Sequence, residues 1–190
     1  RSHCDWSSDV CSSDLNQKAV IFEEKSEVID QIEYDSDQFI ITLKAPKASK
    51  AAKPGEFAFV DCGENTLLRR PLSYLRTNPE KETVEFMYKI IGPGLEALSK
   101  MSTGDYVQMM GPIGNGFNHD PLKEIPVFIG GGVGIPPVLF LAEYLKKSNQ
   151  DITPYAFFGS EIPFPFEVVT SNLKINGLRS EEHTSELQSQ

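Results

Sequence analysis

The amino-acid sequence predicts two successive architectures, an all-β half and then an α/β half. Three observations carry that reading. Between residues 19 and 112, short apolar runs recur with turn signals between them. From Val127 the pattern changes to an apolar run, a glycine-rich turn and an amphipathic helix. A second apolar run, "ITPYAFF" at 152–158, then completes a βαβ unit, the mark of a parallel sheet.

In the first half, "AVIFEEKSEVIDQIEYDSDQFIITLKAP" (19–46) gives apolar runs broken by "DSD". In "PGEFAFVDCG" (54–63), Phe57, Phe59 and Asp61 alternate with Glu56, Ala58 and Val60. "TVEFMYKII" (83–91) puts Val84, Phe86, Tyr88 and Ile90 on one face, and "GDYVQMMGP" (104–112) is a further strand. Lys53-Pro54-Gly55, Asn78-Pro79-Glu80, Gly92-Pro93-Gly94 and Thr103-Gly104-Asp105 supply the turns. Strands at this spacing form a closed barrel or a sandwich. One helix interrupts at 94–105, with Leu95, Leu98 and Met101 on one stripe. In the second half, Val127–Ile129 is a short buried strand and Pro136–Ser148 a helix. That helix has proline near its start and Lys146-Lys147 in its last turn, both favourable placements.

The composition, 39% hydrophobic and 24% charged, fits a soluble globular protein of one or two domains. No apolar run is long enough for a membrane helix, and no basic-then-apolar secretory leader is present. A net charge of −9 argues against nucleic acid as a partner. The two ends, "RSHCDWSSDVCSSDL" (1–15) and "RSEEHTSELQSQ" (179–190), resemble translated sequencing-adapter sequence and are set apart from the fold. They hold six of the 27 acids and two of the 18 bases, so 16–178 carries 21 acids, 16 bases and a net charge of −5. That body keeps one cysteine, Cys62, and one histidine, His119. A single cysteine makes neither an internal disulfide nor a metal site, and a reducing, cytoplasmic setting follows.

Four stretches could carry chemistry. "VFIGGGVGIPP" (127–137) misses the dinucleotide fingerprint: counted from Gly130 the sixth position is Ile135, and counted from Gly132 it is Pro137. Its glycines still permit close backbone approach, and the helix start favours an anion. "LLRRPLSYL" (67–75) sets adjacent arginines before a hydroxyl, a pattern suited to phosphate and equally to a solvated basic pair. "MYKIIGPGLEAL" (87–98) runs a strand through glycines into a helix, and "GPIGNGF" (111–117) is a glycine-dense boundary loop; a structural turn explains either one as well as a ligand does. His119 reads as a surface loop residue and Cys62 as a buried small side chain. No Ser/His/Asp set or carboxylate pair stands out, which disfavours hydrolysis.

In combination and order, R-P-L-S, M-Y-K…G-P-G, G-P-I-G-N-G-F and G-G-G-V-G-I-P-P resemble the ferredoxin–NADP reductase superfamily. Within it they are most similar to the electron-transfer subunits of type 1B dihydroorotate dehydrogenases, over about 17–175. The resemblance implies an antiparallel six-stranded FAD-binding barrel at 16–119 and a partial NAD-binding α/β domain at 120–178. It implies that Arg70 meets the FAD pyrophosphate, that Pro71 and Leu72 line the flavin, and that the Ser73 hydroxyl lies near flavin N5 as the catalytic group. Met87, Tyr88 and Lys89 form the second FAD strand, and Gly94 and Leu95 the helix start against the phosphates. Many relatives have Thr or Ser where Leu95 stands. Gly130, Gly131, Gly132, Gly134 and Pro136 would face NADH.

The implied chemistry passes electrons from NADH through FAD and a 2Fe–2S cluster to FMN in a separate dihydroorotate dehydrogenase catalytic subunit, in a heterotetramer. The expectation for this chain is a cut α/β domain without the cysteines of that cluster. The other expectations are a different NADH-linked flavoprotein subunit, serving ferredoxin, sulfite or hydrogenase modules, or a remnant that only binds a partner subunit. Glu161, just past the second strand, is either a ribose acceptor or a solvated loop acid.

Overall fold

The structure is a computed structural model that describes residues 20–63, 68–118, 125–149, 151–152, 155–159 and 174–175. Its first half is a closed antiparallel barrel of six strands. β1 (Phe22–Tyr34) is long enough to serve two neighbours: Phe22–Glu27 pair with β6 (Tyr106–Ile113), and Val28–Tyr34 pair with β2 (Gln38–Lys44). The register shift between Val28 and Asp30 turns the corner. The "DSD" segment makes the β1–β2 turn, with Ser36 and Asp37 in the left-handed region. β3 (Phe57–Val60), β4 (Arg70–Asn78) and β5 (Thr83–Lys89) complete the ring in the order β1-β2-β5-β4-β3-β6.

Alternation along these strands fills the barrel with Val28, Ile41, Leu43, Ala58, Val60, Tyr74, Val84, Phe86, Tyr88 and Met109. α1 (Ala48–Ala51) is one turn whose first amides, Lys47 and Ala48, donate to the Glu24 carboxylate from β1. α2 (Pro93–Ser99) packs Leu95 and Leu98 into the barrel, with Met101 half-buried behind them. It stops short of the 94–105 expected because Asp105 accepts from the Ser102 amide and Gly104 turns the chain at φ +94°. Gln31 on β1 shares its amide hydrogens among the carbonyls of Leu98, Ser99 and Met101 and accepts from the Tyr88 hydroxyl. That one side chain ties the end of α2 to two barrel strands.

The second half is a parallel sheet, β7 (Val127–Gly131), β8 (Tyr155–Gly159) and the two-residue β9 (Lys174–Ile175), in that order. α3 (Ile135–Ser148) covers one face. Ile135, Leu139, Ala142 and Leu145 pack there against Phe128, Ala156 and Phe158. Three outward residues of the barrel, Ile40, Leu75 and Met87, join the same cluster, so α3 is sandwiched between sheet and barrel. The opposite sheet face leaves Val127, Ile129, Tyr155 and Phe157 exposed, Ile129 to 77%. The strand expected to be buried over Val127–Ile129 is therefore buried only at Phe128, on the side that α3 covers. Among the described residues, no helix is long and apolar enough to cross a membrane.

Candidate functional site

The barrel has a gap in its ladder. β4 pairs with β5 only from Tyr74 to Asn78, against Phe86 to Thr83. The first half of β4, Arg70–Ser73, pairs only with β3, and the last half of β5, Met87–Lys89, pairs only with β2. The two strands therefore diverge over the two segments that the sequence marked, and a mouth opens between them.

Arg70 and α2 meet at one side of this mouth. A Cβ at Gly94 would lie 2.8 Å from Arg70 Nε and 3.1 Å from its Cζ, so the guanidinium rests on the bare backbone of the first turn of α2. One Nη of Arg70 also donates to the Leu68 carbonyl at 3.0 Å, which fixes the plane of the fork. Arg69 takes no part: it bonds to Glu23 on β1. The arginines that read as a pair thus serve two different regions. Arg70 alone sits where a cation and helix-start backbone converge, an arrangement suited to phosphate oxygens.

Strand alternation decides which side chains face the mouth. Leu72 and Tyr74 point into the barrel core, while Pro71 and Ser73 lie on the outer face. Beside them Phe59 pairs with Pro71 and Phe57 with Ser73, the two rings edge-to-face with centroids 5.4 Å apart. On β5, Met87 packs outward against the α3 cluster, and Lys89, half-exposed, shares that outward side. Tyr88 points inward, stacked on Phe39 and bonded to Gln31. Leu72, Tyr88 and Leu95 all commit their side chains to the core, so only their backbone faces a ligand. The resemblance implied that Leu72 lines the flavin and that Tyr88 belongs to the second FAD strand; both side chains pack in the barrel core.

The glycine-rich turn lies against β5. Gly130 and Gly131 end β7, and Gly132–Gly134 form a single 3-10 turn that leads straight into α3. Gly132 has φ +51°, a conformation costly for any residue with a Cβ. Gly134 and the buried Pro136 open the helix. Among the described residues, then, Arg70–Ser73, Met87–Lys89, Gly94–Leu95 and Gly130–Pro136 belong to neighbouring elements.

This geometry has counterparts among known proteins. No family model matches the chain. A dihydroorotate dehydrogenase B (NAD+) electron transfer subunit from Shouchella clausii is 32% identical over 144 residues, covering 74% of this chain and 56% of that protein. The subunit of the same name from Caldanaerobacter subterraneus is 41% identical over 100 residues, covering 53% of this chain and 39% of that protein. The chain is a relative of these electron-transfer subunits. It spans about half the length of the curated relatives it matches. Among solved structures, an NADH-dependent reduced ferredoxin-NADP oxidoreductase superposes with a TM-score of 0.65 at 27% identity, covering 71% of this chain and 48% of that one. The barrel and α/β unit are thus those of the ferredoxin–NADP reductase-like flavoproteins.

Two further features of this reductase-like chain bear on the mouth. Cys62 is fully buried, its thiol 3.7 Å from the Val60 carbonyl. Burial pushes its pKa up from 9.0 to about 11, with Arg70 opposing and Asp61 adding to the rise, so it is no nucleophile. Arg76 on β4 grips Glu143 on α3, with Nε 3.0 and 2.9 Å from the two carboxylate oxygens and Nη2 at 2.8 Å. Burial disfavours the Arg76 charge, but Glu143 and then Glu85 more than offset it and hold the guanidinium above its ordinary pKa. Sequence reasoning missed this pair, whose members lie 67 positions apart. His119 and Glu161 lie outside the described residues.

Proposed function

We propose that this chain is the cofactor-binding portion of an electron-transfer subunit. It holds FAD between Arg70–Ser73, Met87–Lys89 and the start of α2. It receives NADH at Gly130, Gly131, Gly132, Gly134 and Pro136. The observation that carries the reading is the Arg70 guanidinium laid on Gly94 at the edge of the gap between β4 and β5. A diphosphate requires a cation beside unencumbered backbone, and a side chain at 94 would fill that cradle. The residues therefore fit FAD.

When bound, FAD supplies the step between two-electron and one-electron redox chemistry that no side chain here can perform. Arg70 neutralises the diphosphate and orients it by its fixed fork. Leu95 contributes its backbone N–H, since its side chain is buried. Ser73 offers its hydroxyl from the outer face of β4 as hydrogen-bond partner to the reacting ring. Phe57 and Phe59 keep the neighbouring surface apolar. The turn before α3 brings backbone N–H groups to the nicotinamide nucleotide, and no protein acid or base is needed.

The sequence relatives, named as electron transfer subunits of dihydroorotate dehydrogenase B, support a dihydroorotate dehydrogenase catalytic subunit as the partner. We propose that this subunit carries FMN, in a cytoplasmic heterotetramer serving pyrimidine biosynthesis. Cys62, committed to the barrel core, is no ligand for the 2Fe–2S cluster of that scheme. A second reading, in which ferredoxin is the electron partner, is favoured by the likeness to the ferredoxin-NADP oxidoreductase.

The test is FAD titration of the purified chain, followed by fluorescence. One FAD per chain is expected, with Arg70→Ala weakening it about 10- to 100-fold, the worth of a hydrogen bond to a charged group. Failure of the intact chain to take up flavin would sink the reading. Electron delivery to a dihydroorotate dehydrogenase catalytic subunit but not to ferredoxin separates the first partner from the second.

A further inference from the structure

The Arg76–Glu143 pair joins the two elements that carry the two halves of the site. Arg76 stands three residues past Ser73 on β4. Glu143 stands eight residues past Ile135 on α3, about two turns from the glycine-rich turn. It lies on the buried stripe of the helix, one turn beyond Leu139, and is itself only 8% exposed. The pairing is fork to carboxylate, with three N–O distances between 2.8 and 3.0 Å. Glu85 on β5 adds a third member, 3.5 Å from Arg76 Nη1. Barrel strands on both sides of the ladder are thereby tied to one point on α3.

Stability is a poor explanation for this arrangement. Removing charges from water costs several kcal/mol per ion, roughly what their attraction returns, and apolar replacements of such pairs are often neutral or stabilising. The apolar cluster of Leu75, Met87, Ile135, Leu139 and Ala142 already binds helix to barrel. Apolar contact is non-directional and tolerates sliding and rotation. A two-point guanidinium–carboxylate fork does not. Where the pair sits, moreover, the seam is not filled by packing. The pair lines a cleft of about 360 Å³ together with Thr77, Asn78, Glu85 and Tyr144.

We propose that Arg76 and Glu143 are positioning residues that set the register of α3 along β4, and thereby the placement of the Gly130–Pro136 turn against β5. The functional part of this inference rests on the reading above; the structural part does not. The fork acts as an index pin. The apolar cluster supplies adhesion, and the pin selects one of the positions that adhesion would allow. Arg76→Lys keeps the charge but loses the planar fork, so it too releases the register.

The test uses the full chain with Cys4 and Cys11 replaced by Ser and spin labels at Glu33→Cys on β1 and Lys147→Cys on α3. In the parent a single narrow distance distribution is expected. In Arg76→Met/Glu143→Leu, and in Arg76→Lys, the distribution shifts or widens about two-fold as the directional constraint is lost, while the melting temperature of the double variant holds. A distribution unchanged in Arg76→Lys overturns the proposal, and that variant decides the matter if the double variant does not fold. A steep fall in melting temperature with an unchanged distance also overturns it, by making the pair a plain stabiliser. With FAD loaded, the variants keep parental flavin affinity while NADH reduces the flavin as much as about 100-fold more slowly, the cost of a 1 Å misplacement. A flavin-free parent refutes the proposed function and leaves the distance measurement to decide the pin.

Discussion

The Arg70 guanidinium lies across Gly94 so closely that a Cβ there would stand 2.8 Å from Nε. The obstruction is the far end of a flexible side chain, so the helix would keep its place and Arg70 would move. Gly94→Ala is therefore expected to leave the melting temperature unchanged or higher, since alanine favours a helix over glycine by up to about 1 kcal/mol. FAD affinity falls about 10-fold or more as the fork is displaced from its ligand. Calorimetry and flavin titration on the same preparation check both arms. A variant that melts lower yet binds FAD normally would contradict this account.

Gln31 is expected to matter more than its place on a barrel strand suggests. It serves the carbonyls of Leu98, Ser99 and Met101 and accepts from Tyr88. Tyr88→Phe removes one neutral hydrogen bond and costs about 1 kcal/mol. Gln31→Leu also strips the end of α2 and leaves the tyrosine hydroxyl unsatisfied, a cost nearer 3 kcal/mol. Urea midpoints rank the two variants, and Tyr88→Phe proving the more damaging would refute the ordering.

Cys62 supplies a pH signature. Burial favours its neutral thiol and raises its pKa from 9.0 to about 11. A group raised in the folded state contributes stability that is fully present below 9.0 and is lost as pH climbs through about 11. With Cys4 and Cys11 replaced by Ser, iodoacetamide labelling of native Cys62 should be slow at neutral pH and still rising as pH approaches 11. Mass spectrometry follows the adduct. A labelling rate that levels off near pH 9.0 would show an unshifted thiol.

The barrel was legible because it is local. Alternating residues and glycine- or proline-bearing turns mark most of its strands, and the stripe of Leu95, Leu98 and Met101 marks α2. The parallel βαβ unit was legible from the change of period at Val127. α1 was not, because its cap comes from Glu24, more than twenty residues earlier. β9 is two residues long and carries no period at all. At the site, motif order pointed to segments that lie on neighbouring elements, but not to where each side chain points. The alternation of Tyr88 with Val84 and Phe86 already placed its side chain inside the barrel. The division of labour between Arg69 and Arg70, and the reach of Arg76 to Glu143, depend on contacts between distant elements that no local pattern encodes.

The missing rungs between Arg70–Ser73 and Met87–Lys89 bear on how the mouth is occupied. Each segment keeps a full set of partners on its other side, β3 for one and β2 for the other. The ring is closed between β4 and β5 by Tyr74–Asn78 against Thr83–Phe86. Among the described residues, a flat guest entering the mouth unzips no ladder, so its affinity is not diminished by the conformational entropy of releasing or pairing a strand. The slot is preorganised by the strands that flank it, and the barrel is expected to fold to the same shape whether or not anything fills it.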